Sequence, residues 1–112
     1  MLKEYQEEIS KLSFYPGANT GSIEAILCGA LALNGEAGEV AEKVKKVWRD
    51  KNGLFLEEDR NALLLELGDS LFYITRLAAE LGFSLEEVVE GNFNKILSRK
   101  ERGTLQGSGD NR

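Results

Sequence analysis

Residues 23–50 read IEAILCGALALNGEAGEVAEKVKKVWRD. Within them Ile26, Ala30, Leu33, Ala37, Val40, Val44 and Val47 recur at alternating four- and three-residue steps, the repeat of a long helix with one packing seam. Ser22 stands where an N-cap oxygen is needed, and Pro16, Gly17, Asn19 and Gly21 before it spell a loop. Upstream, Tyr5, Ile9 and Leu12 at helical spacing predict a short first helix that ends before Pro16. Downstream, Lys51, Asn52 and Gly53 break the pattern, and Asp59 reads as the N-cap of a third helix from about Arg60 to Leu81. Gly82 closes that helix, and Ser84 with Glu87 forms a capping box for a fourth, running to about Arg102. No stretch alternates as a strand does. The expected fold is all-α, a four-helix bundle-type domain over residues 1–102. A Gly- and Ser-rich tail follows over residues 103–112, flexible unless something pins it.

With 112 residues the chain forms one domain, and a domain this small hides only about two-thirds of its unfolded surface, so self-association is expected. The third helix strengthens that expectation. Leu63, Leu67, Leu71, Ile74, Ala78 and Leu81 make one apolar stripe, and Leu65, Phe72 and Ala79 make another on nearly the opposite side. No histidine and a single cysteine, Cys28, exclude a Cys/His zinc site, a Ser-His-Asp triad and a disulfide framework. The net charge of −5 disfavours polymeric nucleic acid, whose binding needs Lys and Arg on phosphates. The N-terminus is amphipathic and acidic, and no apolar run suits a membrane span, so a cytoplasmic location is expected.

The chemistry lies in carboxylates. Glu36 and Glu39 stand three apart on the long helix, with Glu36 about 60° from the Leu33–Val40 seam. Glu66 and Asp69 stand three apart on the third helix, in the sector between its two stripes, with Tyr73 one turn further on. If the two helices pack antiparallel, four anions converge and repel unless protonated or bridged by a cation. Oxygen donors of this kind select Mg²⁺, with Mn²⁺ or Ca²⁺ as substitutes. Spacing alone is weak support, because five acidic i, i+3 pairs occur where composition gives roughly three. Gly35, Gly38 and Gly68 beside the carboxylates add context, since helix-interior glycine costs about 0.8–1 kcal/mol relative to Ala. Tight helix packing and close approach of a ligand both ask for it there.

The run Gly35-Glu36-Ala37-Gly38-Glu39-Val40-Ala41-Glu42-Lys43, then Glu66-Leu67-Gly68-Asp69 with Tyr73, then Asn92, Asn94, Lys95 and Arg99, resembles the MazG-like family of all-α nucleoside triphosphate pyrophosphohydrolases. The resemblance spans roughly residues 23 to 102 and includes the dCTP-pyrophosphatase-like branch. There Gly35 stands where the fuller motif has a further Glu, which leaves the number of metal ions open. It implies that Glu36, Glu39, Glu66 and Asp69 bind Mg²⁺, that a (deoxy)nucleoside triphosphate is cut to monophosphate and pyrophosphate, and that helices of two subunits complete one bundle in a homodimer or homotetramer. Under that reading Glu39 is the candidate catalytic base. Lys43, Lys95 and Arg99 are candidate phosphate contacts, and Tyr73 and Asn92 candidate base or sugar contacts. Phe14, Tyr15, Trp48 and Phe55 are further aromatic candidates for stacking on a nucleobase. Two other classes fit the same pattern: a phosphoribosyl-ATP pyrophosphohydrolase-like enzyme, and a non-catalytic helical dimer that binds a nucleotide or a protein.

Overall fold

A computed structural model describes all 112 residues. The chain is four helices and no strand: α1 (Leu2–Lys11), α2 (Ile23–Asp50), α3 (Glu57–Glu80) and α4 (Leu85–Glu101). The helix starts follow local chemistry. Ser22 Oγ accepts from the Ala25 N–H at the head of α2. At the head of α4 the Ser84 hydroxyl accepts from Glu87 N–H while the Glu87 carboxylate accepts from Ser84 N–H, the reciprocal capping box read from the sequence. The third helix begins three residues earlier than the Asp59 cap predicts. Asp59 lies inside the first turn, where its carboxylate accepts from the Leu56 N–H and pairs with Lys51 at 2.7 Å. An acidic side chain satisfies the free N–H groups from inside the first turn as well as from the cap, so composition alone could not place the boundary.

The core of the chain is the antiparallel pair α2–α3. Its inner stripe on α2 runs Ala25, Gly29, Ala32, Glu36, Lys43, Val47, all buried or half-buried, whereas Ala30, Ala37 and Val44 of the predicted seam are exposed. Ile26, Leu33, Val40 and Val47 of that seam are covered as expected, so the true face keeps these positions and extends toward Gly29, Glu36 and Lys43 instead of Ala30, Ala37 and Val44. The reason is size: a Cβ on Gly29 would meet the Leu77 side chain at 3.5 Å, so the helices close where α2 is smallest, not where it is most apolar.

The predicted apolar stripes of α3 are only partly covered: Leu65, Leu67 and Leu81 are each more than half exposed, while Leu63, Phe72 and Ala79 are half-buried and Ala78 is buried. Helix α4 touches α1 and α3 but not α2, and α1 does not touch α2, so the four helices do not close a bundle within one chain. The radius of gyration, 16.8 Å, exceeds the roughly 13 Å of a compact domain of this length.

The α1–α2 loop is fastened to α3 by a buried ion pair. Arg76 and Glu80, one turn apart and each 1% exposed at the side chain, meet at 3.0 Å. Glu80 also accepts from the Tyr15 hydroxyl at 2.9 Å and from the N–H groups of Asn19 and Gly21 at 2.6 and 2.8 Å. Arg76 donates in addition to the Tyr15 hydroxyl and to Asn19 Oδ1. Gly21 is required here: its φ is +67°, and a Cβ would stand 3.3 Å from the Glu80 carbonyl oxygen. Gln6 closes the other end of α1, donating to the Phe83 carbonyl and accepting from Leu85 N–H.

The tail is pinned. Arg112 donates to the carbonyls of Thr104, Leu105 and Gly109, Arg102 donates to the Arg112 carbonyl, and Arg99 donates to that of Asp110. Guanidinium groups at the end of α4 and at the terminus thus satisfy carbonyls that glycine-rich sequence leaves free.

Burial pushes the Glu80 carboxyl up, but the Gly21 and Asn19 amides, the Tyr15 hydroxyl and Arg76 outweigh it and hold it below its ordinary 4.5. A lowered carboxylate stabilises the fold fully above pH about 4.5 and stops doing so as the pH falls through the folded value. Glu80→Gln is expected to leave Arg76 uncompensated and cost about 3–5 kcal/mol. Thermal melts at pH 7 should fall by more than about 10 °C, and the acid-induced loss of stability below pH about 4.5 should become shallower.

Candidate functional site

Midway along α2–α3 the seam turns polar. Small and apolar residues fill its ends, Ala25, Gly29 and Leu77 at one and Val47, Ala62 and Leu63 at the other, while Glu36 and Lys43 of α2 face Glu66 and Ser70 of α3 between them. Carboxylate oxygens of Glu36, Glu39 and Glu66 lie within 4.8 Å of one another. Glu39 is the exposed member, while Glu36 and Glu66 are half-buried, the Glu66 side chain 13% exposed. Burial of Glu36 pushes its carboxyl above 4.5, and the charges of Glu39, Asp69 and Glu66, in that order, push it further the same way. Asp69 therefore acts on the cluster through its charge, though it stands outside the tight group of three.

Two polar atoms in this waist have no partner. Glu66 Oε2 and Ser70 Oγ are buried without a hydrogen bond. A buried carboxylate oxygen without a donor is costly, and like-charged neighbours add to the cost. A divalent cation answers both, since three oxygen donors from two helices are the hard ligand set that Mg²⁺ or Mn²⁺ takes. Glu66 Oε1 is already paired, with Lys43 Nζ at 3.3 Å.

The other sequence-derived candidates are distributed unevenly. Lys43 reaches the carboxylates. It also lines, with Lys46, Val47, Lys51 and Leu63, a cavity of about 190 Å³ between the helices. Tyr73 lies half-buried one turn past Asp69, with Phe72 edge-on to it at 5.0 Å. Asn92 and Lys95 line a groove on α4 with Phe83 and Val88, on a helix that does not meet α2. Arg99 is buried against the tail, bonded to the Asp110 carbonyl at 2.8 Å. Gly35, Gly38 and Gly68 have nothing within 4 Å of a built Cβ, so packing between α2 and α3 does not explain them. The space beside them is open to a ligand or to another chain.

Sequence reasoning missed two participants. Tyr5, counted as apolar, has its hydroxyl pushed up by burial and then by the Asp69 charge, which brings α1 to the edge of the cluster. Ser70 carried no signal, since a lone serine in a helix has none.

A family model, MazG nucleotide pyrophosphohydrolase domain, matches residues 28–104. Among curated proteins the chain is similar to the Gene 37 protein of Mycobacterium phage L5, 49% identical over 109 residues that cover 96% of each chain. No solved structure matches the chain significantly.

Because the Glu36 carboxyl is raised, its charge opposes folding at neutral pH, and that penalty builds as the pH rises from 4.5 through the raised value. Glu36→Gln is expected to melt a few degrees higher than the unaltered protein in EDTA at pH 7 and to gain less from added Mg²⁺ or Mn²⁺. Differential scanning calorimetry with and without the metals reads both effects.

Proposed function

The chain belongs to the MazG nucleotide pyrophosphohydrolase family, and from that premise we propose that it hydrolyses a (deoxy)nucleoside triphosphate to monophosphate and pyrophosphate at the acidic waist of α2–α3. The observation that carries this is the convergence of Glu36, Glu39 and Glu66 within 4.8 Å around a buried, unpartnered carboxylate oxygen. These three, with Asp69 beside them, would hold Mg²⁺ or Mn²⁺. A divalent cation supplies charge neutralisation and Lewis-acid polarisation for a triphosphate.

The protein's own groups do the rest. Glu39, the carboxylate open to solvent, takes the proton of the attacking water. The water oxygen forms the new bond to phosphorus as the bridging P–O bond breaks and pyrophosphate leaves. Lys43, the cation nearest the carboxylates, receives the phosphate charge that remains. Tyr73 offers an aromatic face to the nucleobase one turn from Asp69.

The remaining candidates call for a second copy. The exposed surface is 8023 Å², against roughly 6,100 Å² for a compact monomer of this mass. That excess per chain is of the size hidden in obligate dimers. Leu64, Leu65, Leu67 and Leu71 supply the apolar face for a second copy, whose exposed Asn92 and Lys95 on α4 are the candidates for completing the site, whereas Arg99 is taken up by its own tail.

Release of pyrophosphate against orthophosphate from ribo- and deoxynucleoside triphosphates and phosphoribosyl-ATP, with Mg²⁺, Mn²⁺ or EDTA, tests the reaction. Pyrophosphate appearing only with metal is expected, and Glu39→Gln should lower kcat by about 10²–10⁴-fold. Orthophosphate as the sole product would overturn the assignment. For the assembly, light scattering should give a dimer or tetramer for the unaltered chain. Leu65→Glu, at a side chain now 70% exposed, should give monomers with turnover lost.

A further inference from the structure

Lys43 is the one basic side chain paired with the acidic cluster. Its neighbours on α2 are engaged elsewhere: Lys45 and Lys46 pair with Glu42, and Arg49 pairs with Asp50. Lys51 is held by Asp59 and Glu58. Glu36, Glu39 and Asp69 have no ion-pair partner at all, so the 3.3 Å contact between Lys43 Nζ and Glu66 Oε1 is the only direct neutralisation that the protein gives its four carboxylates. The contact is also lopsided. Glu66 is 13% exposed and fixed in the seam, whereas Lys43 is 41% exposed at the end of a flexible stem.

We propose that Lys43 is an internal counterion that competes with the divalent cation for Glu66 and is handed over to the substrate's phosphates when the cation binds. This rests on the metal-dependent reading above. The same carboxylate carries the lysine on one oxygen and an unpartnered oxygen on the other, so a cation taken up by Glu66 arrives beside an ammonium group of like charge. The ammonium has somewhere to go. Lys43 borders one cavity lined by Lys46, Lys51, Asp50 and Asp59 and a second lined by Glu39, Glu42 and Lys46, so its ammonium can swing off Glu66 and stay on a charged, open surface. Without a metal, the lysine relieves the repulsion that would otherwise oppose closing α2 onto α3. With a metal, the lysine is freed from Glu66, and its exposed ammonium becomes available to the substrate's phosphates while Lys46 and Lys51 stay with their own carboxylates. Metal and nucleotide then favour each other's binding, since a polyphosphate that keeps Lys43 occupied removes the cation's competitor.

Mn²⁺ binding followed by electron paramagnetic resonance tests this on the unaltered protein and on Lys43→Met, Lys43→Gln and Lys43→Arg. Both neutral variants are expected to bind Mn²⁺ about tenfold more tightly than the unaltered chain, while Lys43→Arg stays close to it. In EDTA the neutral variants should melt lower, and saturating Mn²⁺ should erase the difference. An α,β-methylene deoxynucleoside triphosphate, which is not cut, should tighten Mn²⁺ binding more in the unaltered protein than in Lys43→Met. If the unaltered protein binds Mn²⁺ and both neutral variants bind it no more tightly, the competition is overturned while the metal site stands. If the unaltered protein takes up no Mn²⁺, the metal-dependent reading falls and this proposal with it.

Discussion

Charge in the middle of a helix–helix seam is the constraint around which this chain is organised. Two long helices normally close along a continuous apolar stripe, but here Glu36, Lys43, Glu66 and Ser70 interrupt it midway along α2 and α3. The ends hold the helices close enough that the carboxylates cannot move apart to relieve their repulsion. Lys43 removes part of that repulsion, and what is left makes the waist a place where a cation is worth more than it would be on an open acidic surface.

Such a waist weakens the hairpin, and the compensation lies at its end. The Arg76–Glu80 pair is as enclosed as any in the molecule, yet it is fully bonded, with Glu80 accepting from two loop amides, a tyrosine hydroxyl and the guanidinium. A buried pair of this kind gives specificity more than net stability. Its effect is to fix one path for residues 13–22 across the end of α3, and so to fix where α2 begins relative to the carboxylates two turns and more downstream. Charge is thus only partly paired in the waist and paired at the end of the hairpin.

How far this was legible in the sequence depends on the range of the interaction. The Ser22 cap and the Ser84–Glu87 box act within four residues, and both helix starts were read correctly. The nearness of Glu36, Glu39 and Glu66 was readable because two i, i+3 pairs on two antiparallel helices admit few arrangements, whereas Asp69 stands outside the tight group. The seam of α2 holds at Ile26, Leu33, Val40 and Val47 and fails at the three positions between them, because periodicity counts apolar side chains without saying what covers them. Ala30, Ala37 and Val44 are apolar and exposed, whereas the face that meets α3 holds Gly29 and two charged residues. Arg76 with Tyr15 and Asn19, some sixty residues apart, had no local signature, and neither did the tail's closure on Arg112.

The glycines bear on the same division between chain and assembly. Gly35, Gly38 and Gly68 each cost about 0.8–1 kcal/mol of helix propensity against alanine, and nothing in the chain itself approaches them. Gly29, which a neighbouring helix does approach, shows what packing within the chain looks like: Leu77 at 3.5 Å. The three glycines flank the carboxylates on surfaces that also carry the exposed leucines of α3. A backbone left bare beside an acidic cluster lets a ligand or a second backbone come within van der Waals reach of the carboxylates, which a methyl group would prevent. The propensity lost at these positions is then the cost of access, and it falls where the chain's own fold leaves the waist uncovered.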